Sequence, residues 1–174
     1  MTTRLISTGT EPVTAAEVKS LIALDGTDHD TRIALLIPAL RQQAEQITGR
    51  SFAVCTWQAK LDAFPAEIRL LWPPIVSITS ITYVDTAGTT QTLAPASYAA
   101  DIHSEPGWVL PAAGTDWPDT YDTANAVTIN YTAGEGASAP EEVKLWIAAR
   151  IRADIDGCDV PDYLDGLLDR LKVY

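Results

Sequence analysis

Apolar residues follow one period at the two ends of the chain and another in the middle. Between residues 28 and 48, Ile33, Leu36, Ile37, Leu40, Ala44 and Ile47 recur at three- and four-residue spacing, as on a helix with one buried face. Gly49 stands where a left-handed cap ends such a helix, and Pro38 inside it removes one hydrogen bond and predicts a kink. A shorter helix precedes it over residues 11–24. Thr14 and Glu17 make a capping box there, Val18, Leu21 and Ile22 form the stripe, and Asp25-Gly26 is the stop.

From Phe52 the period drops to two. Residues 52–61 alternate as one strand, and a short strand follows at 68–71, stopped by Pro73-Pro74. Residues 76–84 alternate most clearly, with Val76 and Ile78 and then, across a shift at Ser80, Ile81 and Tyr83 on the apolar side. Asp85-Thr86-Ala87-Gly88 reads as a hairpin turn into residues 89–93. Further strands are expected at 98–102, 108–110 and 127–131, with a long ordered loop over residues 111–125.

Helical spacing returns after Gly134. Pro140, Glu141 and Glu142 suit a first turn; Val143, Trp146, Ile147, Ile151 and Ile155 form a stripe; Gly157 ends it. A last helix over 161–172 would place Leu164, Leu167, Leu168 and Leu171 on one face. The pattern predicts an α+β fold: a four-helix bundle, two helices from each end of the chain, carrying an inserted antiparallel β module of about six strands. The corresponding regions are an N-terminal helical half at 1–50, the β module at 51–133, and a C-terminal helical half with its tail at 134–174.

The chain has 174 residues, enough for one domain or one domain with an insertion. Its formal charge of −11 argues against adhesion to nucleic acid, whose phosphates are bound by Lys and Arg. No apolar run is long enough to span a membrane, and residues 1–12 lack the layout of a signal peptide. Cys55 and Cys158 lie far apart without a CxxC pattern and are expected to be buried reduced thiols.

The search for chemistry finds little. There is no P-loop, GxGxxG, HExxH or GxSxG, and His29 and His103 stand apart from any nucleophile in sequence. Asp28-His29-Asp30 fits a helix start. The acidic run from Asp154 to Asp169 lacks the glycine and glutamate spacing of a calcium loop. No enzyme activity, cofactor or metal is expected. Trp57 and Trp146 fall on apolar stripes and read as core. Trp72, Trp108 and Trp117 adjoin prolines or glycines and are candidates for contacts between subunits.

Several stretches, in order and spacing, resemble the head–tail connector (adaptor) proteins of tailed bacteriophages and prophages. They are TRLISTGTEPVTAAEVKSLIALD, then AEQITGRSF with TWQ, then LDAFPAEIRLLWPPIVSITSITYVDTAGTTQTL, Ser97-Tyr98, AVTINYTAGEG and APEEVKLWIAARI. The resemblance implies a non-enzymatic ring, often of twelve subunits, beneath the portal. Such a ring extends the DNA channel, lets DNA pass without specific binding, and presents a surface to a neck or tail-completion protein. Its place would be the virion neck, and the host cytoplasm during assembly. The resemblance also implies docking on the portal through residues 161–174, which makes Leu164, Leu167, Leu168, Leu171, Val173 and Tyr174 the docking candidates. Two alternatives stand beside it. One is a tail-terminator or other head-completion protein. The other is a small-ligand or carbohydrate-binding β module with Trp72, Trp108 and Trp117 as its platform.

Overall fold

The computed structural model describes residues 1–173, arranged in two units. One joins Met1–Thr8 to Cys55–Gly134; the other joins Gly9–Val54 to the chain from Glu135 onward.

The first unit contains eight strands: β1 (Thr2–Thr8), β2 (Cys55–Leu61), β3 (Ile68–Leu70), β4 (Ile75–Val84), β5 (Thr90–Thr92), β6 (Tyr98–Asp101), β7 (Gly107–Pro111) and β8 (Val127–Ala133). They form a five-stranded sheet in the order β1-β2-β8-β4-β5 and a three-stranded sheet in the order β3-β7-β6, both antiparallel. In β2 and β8 every second residue is buried, as expected when one face of a sheet covers a core. The register between β4 and β8 slips between Ile78 and Ser80, where the apolar alternation of β4 breaks. Trp57, Ile81, Ile129 and Tyr131 from the large sheet and Ile68, Leu70 and Val109 from the small one are buried. A Cβ on Gly107 would lie 2.7 Å from the Ile75 side chain, so β7 and β4 meet at a distance that only glycine permits.

Among its described residues the second unit holds three α-helices, α1 (Ala15–Leu21), α2 (Asp30–Thr48) and α3 (Glu141–Asp156), and two 3₁₀ segments, Gly136–Ser138 and Asp162–Leu171. The capping box forms as the sequence requires. The Thr14 hydroxyl accepts from the Glu17 amide at 3.2 Å, and the Glu17 carboxylate accepts from the Thr14 amide at 2.7 Å. Gly49 and Gly157 cap α2 and α3 in the left-handed conformation. Val18, Ile33, Ile37, Phe52, Trp146, Ile147, Ile151 and Leu168 form one buried apolar cluster. Burial of each large side chain contributes roughly 1.5–3 kcal/mol.

Two expectations are overturned. Among the described residues the four-helix bundle carrying about six strands is replaced by three α-helices, with a 3₁₀ segment where the fourth was expected, and by eight strands in two antiparallel sheets. The run TTRLIST, for which no strand was expected, forms β1; its outer-edge position leaves Leu5 and Ile6 exposed, so it shows no alternation. Cys158 is exposed rather than buried, because it directly follows the turn at Gly157 that ends α3.

Candidate functional site

The tryptophans proposed for contacts between subunits take three different settings. Trp72 has φ +65°, a left-handed conformation that costs a bulky residue on the order of 1 kcal/mol or more. It is held there from two sides. Its ring stacks on Trp57 with centroids 5.0 Å apart and planes 8° from parallel, and the Tyr131 hydroxyl donates to the Leu71 carbonyl at 2.8 Å. Burial raises the Tyr131 hydroxyl pKa, which keeps the phenol protonated as that donor.

Trp117 stacks on Phe64 at 4.7 Å, and Phe64 meets Tyr83 edge-on at 5.7 Å. This stack fastens the acidic loop over residues 111–125 to the end of β4. The Tyr121 amide adds a bond to the Val84 carbonyl at 2.9 Å. Trp108 is half-buried on β7, opposite Arg69 of β3 and Asp101 of β6. Among the described residues no ring contact joins Trp72, Trp108 and Trp117.

The tail turns its leucine face inward. Leu164 and Leu168 are buried in the helical core; Leu167 and Leu171 are half-buried against it. The Val173 amide donates to the Thr48 carbonyl at 2.8 Å. Tyr174 lies outside the described residues. Arg150 fastens the segment from the side. Its guanidinium binds Asp165 at 2.6 Å while lying 4.2 Å over the ring of Trp146. What the tail exposes is Tyr163, at 72%, a residue that a search for apolar stripes passes over.

The half-buried polar face of the five-stranded sheet was not singled out by sequence reasoning. A hydrogen-bonded row crosses it: Gln58 donates to Asn130 at 3.0 Å, and Asn130 donates to Ser80 at 3.0 Å. Arg4 lies directly opposite Gln58, and Lys60 opposite Thr2. None of the five strands contains an aspartate or glutamate, although the chain carries 23 acidic residues. The strand boundaries, once known, make this visible in the sequence.

Among the described residues no group of three or more His, Cys, Asp or Glu side chains is placed to hold a metal ion. No described helix is long and apolar enough to cross a membrane. The arrangement offers surfaces and pinned loops.

No family model matches the chain, and no curated protein matches its sequence. Solved structures do. A chain from the neck of an empty GTA particle computed with C6 symmetry aligns with a TM-score of 0.80 at 17% identity, covering 100% of this chain and 96% of that one. A chain from the virion of a native gene transfer agent (GTA) particle aligns at 0.78 and 19% identity, with the same coverage. A chain from the neck of a native GTA particle computed with C12 symmetry aligns at 0.64 and 20% identity, covering 97% and 96%. The chain therefore shares the fold of neck and virion components of gene transfer agent particles, from one end to the other.

Proposed function

We propose that the chain is a structural connector of a tailed phage or phage-like particle. In this reading it is a ring subunit beneath the portal that extends the DNA channel and joins it to the next neck or tail component. The observation that carries the reading is the alignment in fold over the whole chain with chains from a gene transfer agent neck and virion. The C6 and C12 symmetries of those necks support a cyclic assembly. The net charge of −11 suits a channel wall past which DNA slides, since like charge opposes adhesion.

Residues 161–174 dock on the portal in this reading. Leu164 and Leu168 root the segment in the helical unit, and Tyr163, Leu167 and Leu171 meet the partner. Ten residues of 3₁₀ geometry are a long run for a helix type with poor hydrogen bonds, so the segment owes its shape to the contacts around it. A partner's contacts are able to reshape it. Trp108 contributes to contacts between subunits directly, and Trp72 and Trp117 do so through the segments they pin.

Inactivating the gene in a particle-producing cell tests the reading. DNA-filled heads without tails are the expected product by electron microscopy. Intact tailed particles lacking the protein overturn it.

A further inference from the structure

The half-buried polar face of the five-stranded sheet differs in chemistry from the rest of this acidic chain. Three rows of paired residues cross it. The central row is Arg4, Gln58, Asn130 and Ser80. The row on one side carries Lys60 among threonines, and the row on the other carries serine and threonine alone. None of these residues is buried, none is aromatic and none is acidic.

The two cations on this face are unneutralised. In the helical unit, cations such as Lys19, Arg32 and Arg150 are paired with carboxylates. Arg4 and Lys60 are diagonal neighbours across the β1–β2 ladder, and neither has a carboxylate partner among the described residues. The face therefore offers positive charge, hydroxyls and amides with no negative charge between them.

We propose that this face is the surface the chain turns to duplex DNA, contacting the phosphates without reading the bases. The inference rests on the connector reading and names which wall of the chain the DNA passes. Arg, Lys, Ser, Thr, Asn and Gln are the side chains that contact phosphates and sugars. The lack of carboxylates removes, on this face alone, the repulsion that a net charge of −11 sets up elsewhere. Five strands span about 19 Å, enough to reach the two backbones that border a major groove about 12 Å wide. A flat face sends no helix or ribbon into that groove, so base edges go unread. It has no aromatic ring on which an unpaired base could stack, so single strands have no advantage. Two cations per chain make a weak grip, with affinity falling about tenfold between about 50 and 200 mM salt. DNA is guided along such a wall and released by it.

Amide NMR of the full-length chain, titrated at low salt with short DNA duplexes of unrelated sequence, tests it. Shifts are expected at the Gln58 and Asn130 side-chain amides and along β1 and β2, alike for every duplex. The double variant Arg4→Ser, Lys60→Ser should lose these shifts and keep the rest of its spectrum. Shifts that persist in the double variant, shifts centred on the helical unit, or none at all overturn the assignment of this face to DNA. Shifts on this face that grow with protein concentration in the absence of DNA give it to a second copy of the chain, and also overturn the assignment. The connector reading survives each of these outcomes; it falls only if intact tailed particles form without the protein.

Discussion

Glu45 lies one turn from Arg41 on α2, both are buried, and its carboxylate serves two purposes at once. One oxygen takes the Arg41 guanidinium; the other accepts the amides of Phe52 at 2.8 Å and Ala53 at 3.2 Å. Arg41 reaches on to Glu11 at 3.0 Å. Three separate parts of the helical unit are thus tied to one helix face. Burial works against the Arg41 charge, and the attraction of Glu45 and the hydrogen bond to Glu11 more than offset it, so its pKa is raised.

Glu45→Ala therefore leaves a buried cation and two amides without their acceptor. The expected loss is about 3–5 kcal/mol, measured by urea unfolding of the helical unit's transition. A loss under about 1 kcal/mol would show that the pair is not what holds these segments.

The positive φ of Trp72 separates two contributions that are usually mixed. Trp72→Ala removes the stack on Trp57 while keeping a side chain in a left-handed conformation, and is expected to cost about 2–3 kcal/mol. Trp72→Gly removes the same ring and relieves the backbone, so it should be the more stable of the two by roughly 1 kcal/mol. Equal melting midpoints for both variants would disprove strain at this position.

Three exposed carboxylates have pKa values below their ordinary range, and the sign of their pH effect follows. Asp85 is lowered by its bonds with the Gln91 side chain and the Thr89 and Ala87 amides, Asp101 mainly by Ser104, and Glu17 by Thr14. A folded-state pKa below the unfolded one means that the unfolded chain binds more protons. The stabilisation is present above the ordinary carboxylate range and is lost as pH falls through the lowered values. Asp85→Asn should flatten the acid side of the stability profile below the ordinary carboxylate range, with little change at pH 7. An unchanged acid limb in urea titrations across that window would refute it.

The tail separates stability from docking. Leu168→Ala should lower stability by about 2–4 kcal/mol, because the side chain is fully buried. Tyr163→Ala should change stability by less than about 0.5 kcal/mol and weaken portal binding about tenfold, measured by interferometry on purified portal. Unaltered portal affinity in Tyr163→Ala would move the docking surface elsewhere.

Most helices and strands were legible because each buries one face against a core, which leaves a period in the sequence. The capping box at Thr14–Glu17 and the turn at Asp85–Gly88 were legible because their chemistry is local. β1 was not: Leu5 and Ile6 are adjacent rather than alternating, and the register shifts between Leu5 and Ser7. The 3₁₀ geometry of residues 162–171 was hidden because leucines at three- and four-residue spacing satisfy either helix type. The neighbouring cations Arg4 and Lys60 were hidden for another reason. Arg4 and Lys60 become neighbours only through the pairing of β1 with β2, and no local pattern announces which strands end up outermost.

The position of β8 has a consequence for biosynthesis. It is the last strand to leave the ribosome, yet it lies between β2 and β4 and joins them. Until residue 133 has emerged, β2 and β4 both lack the strand that joins them, and each keeps an open side that β8 will later fill. A pause in translation before that point would leave two adhesive edges exposed to neighbouring nascent chains. Synonymous codon changes that slow residues 100–126 should therefore raise aggregation without altering the finished protein.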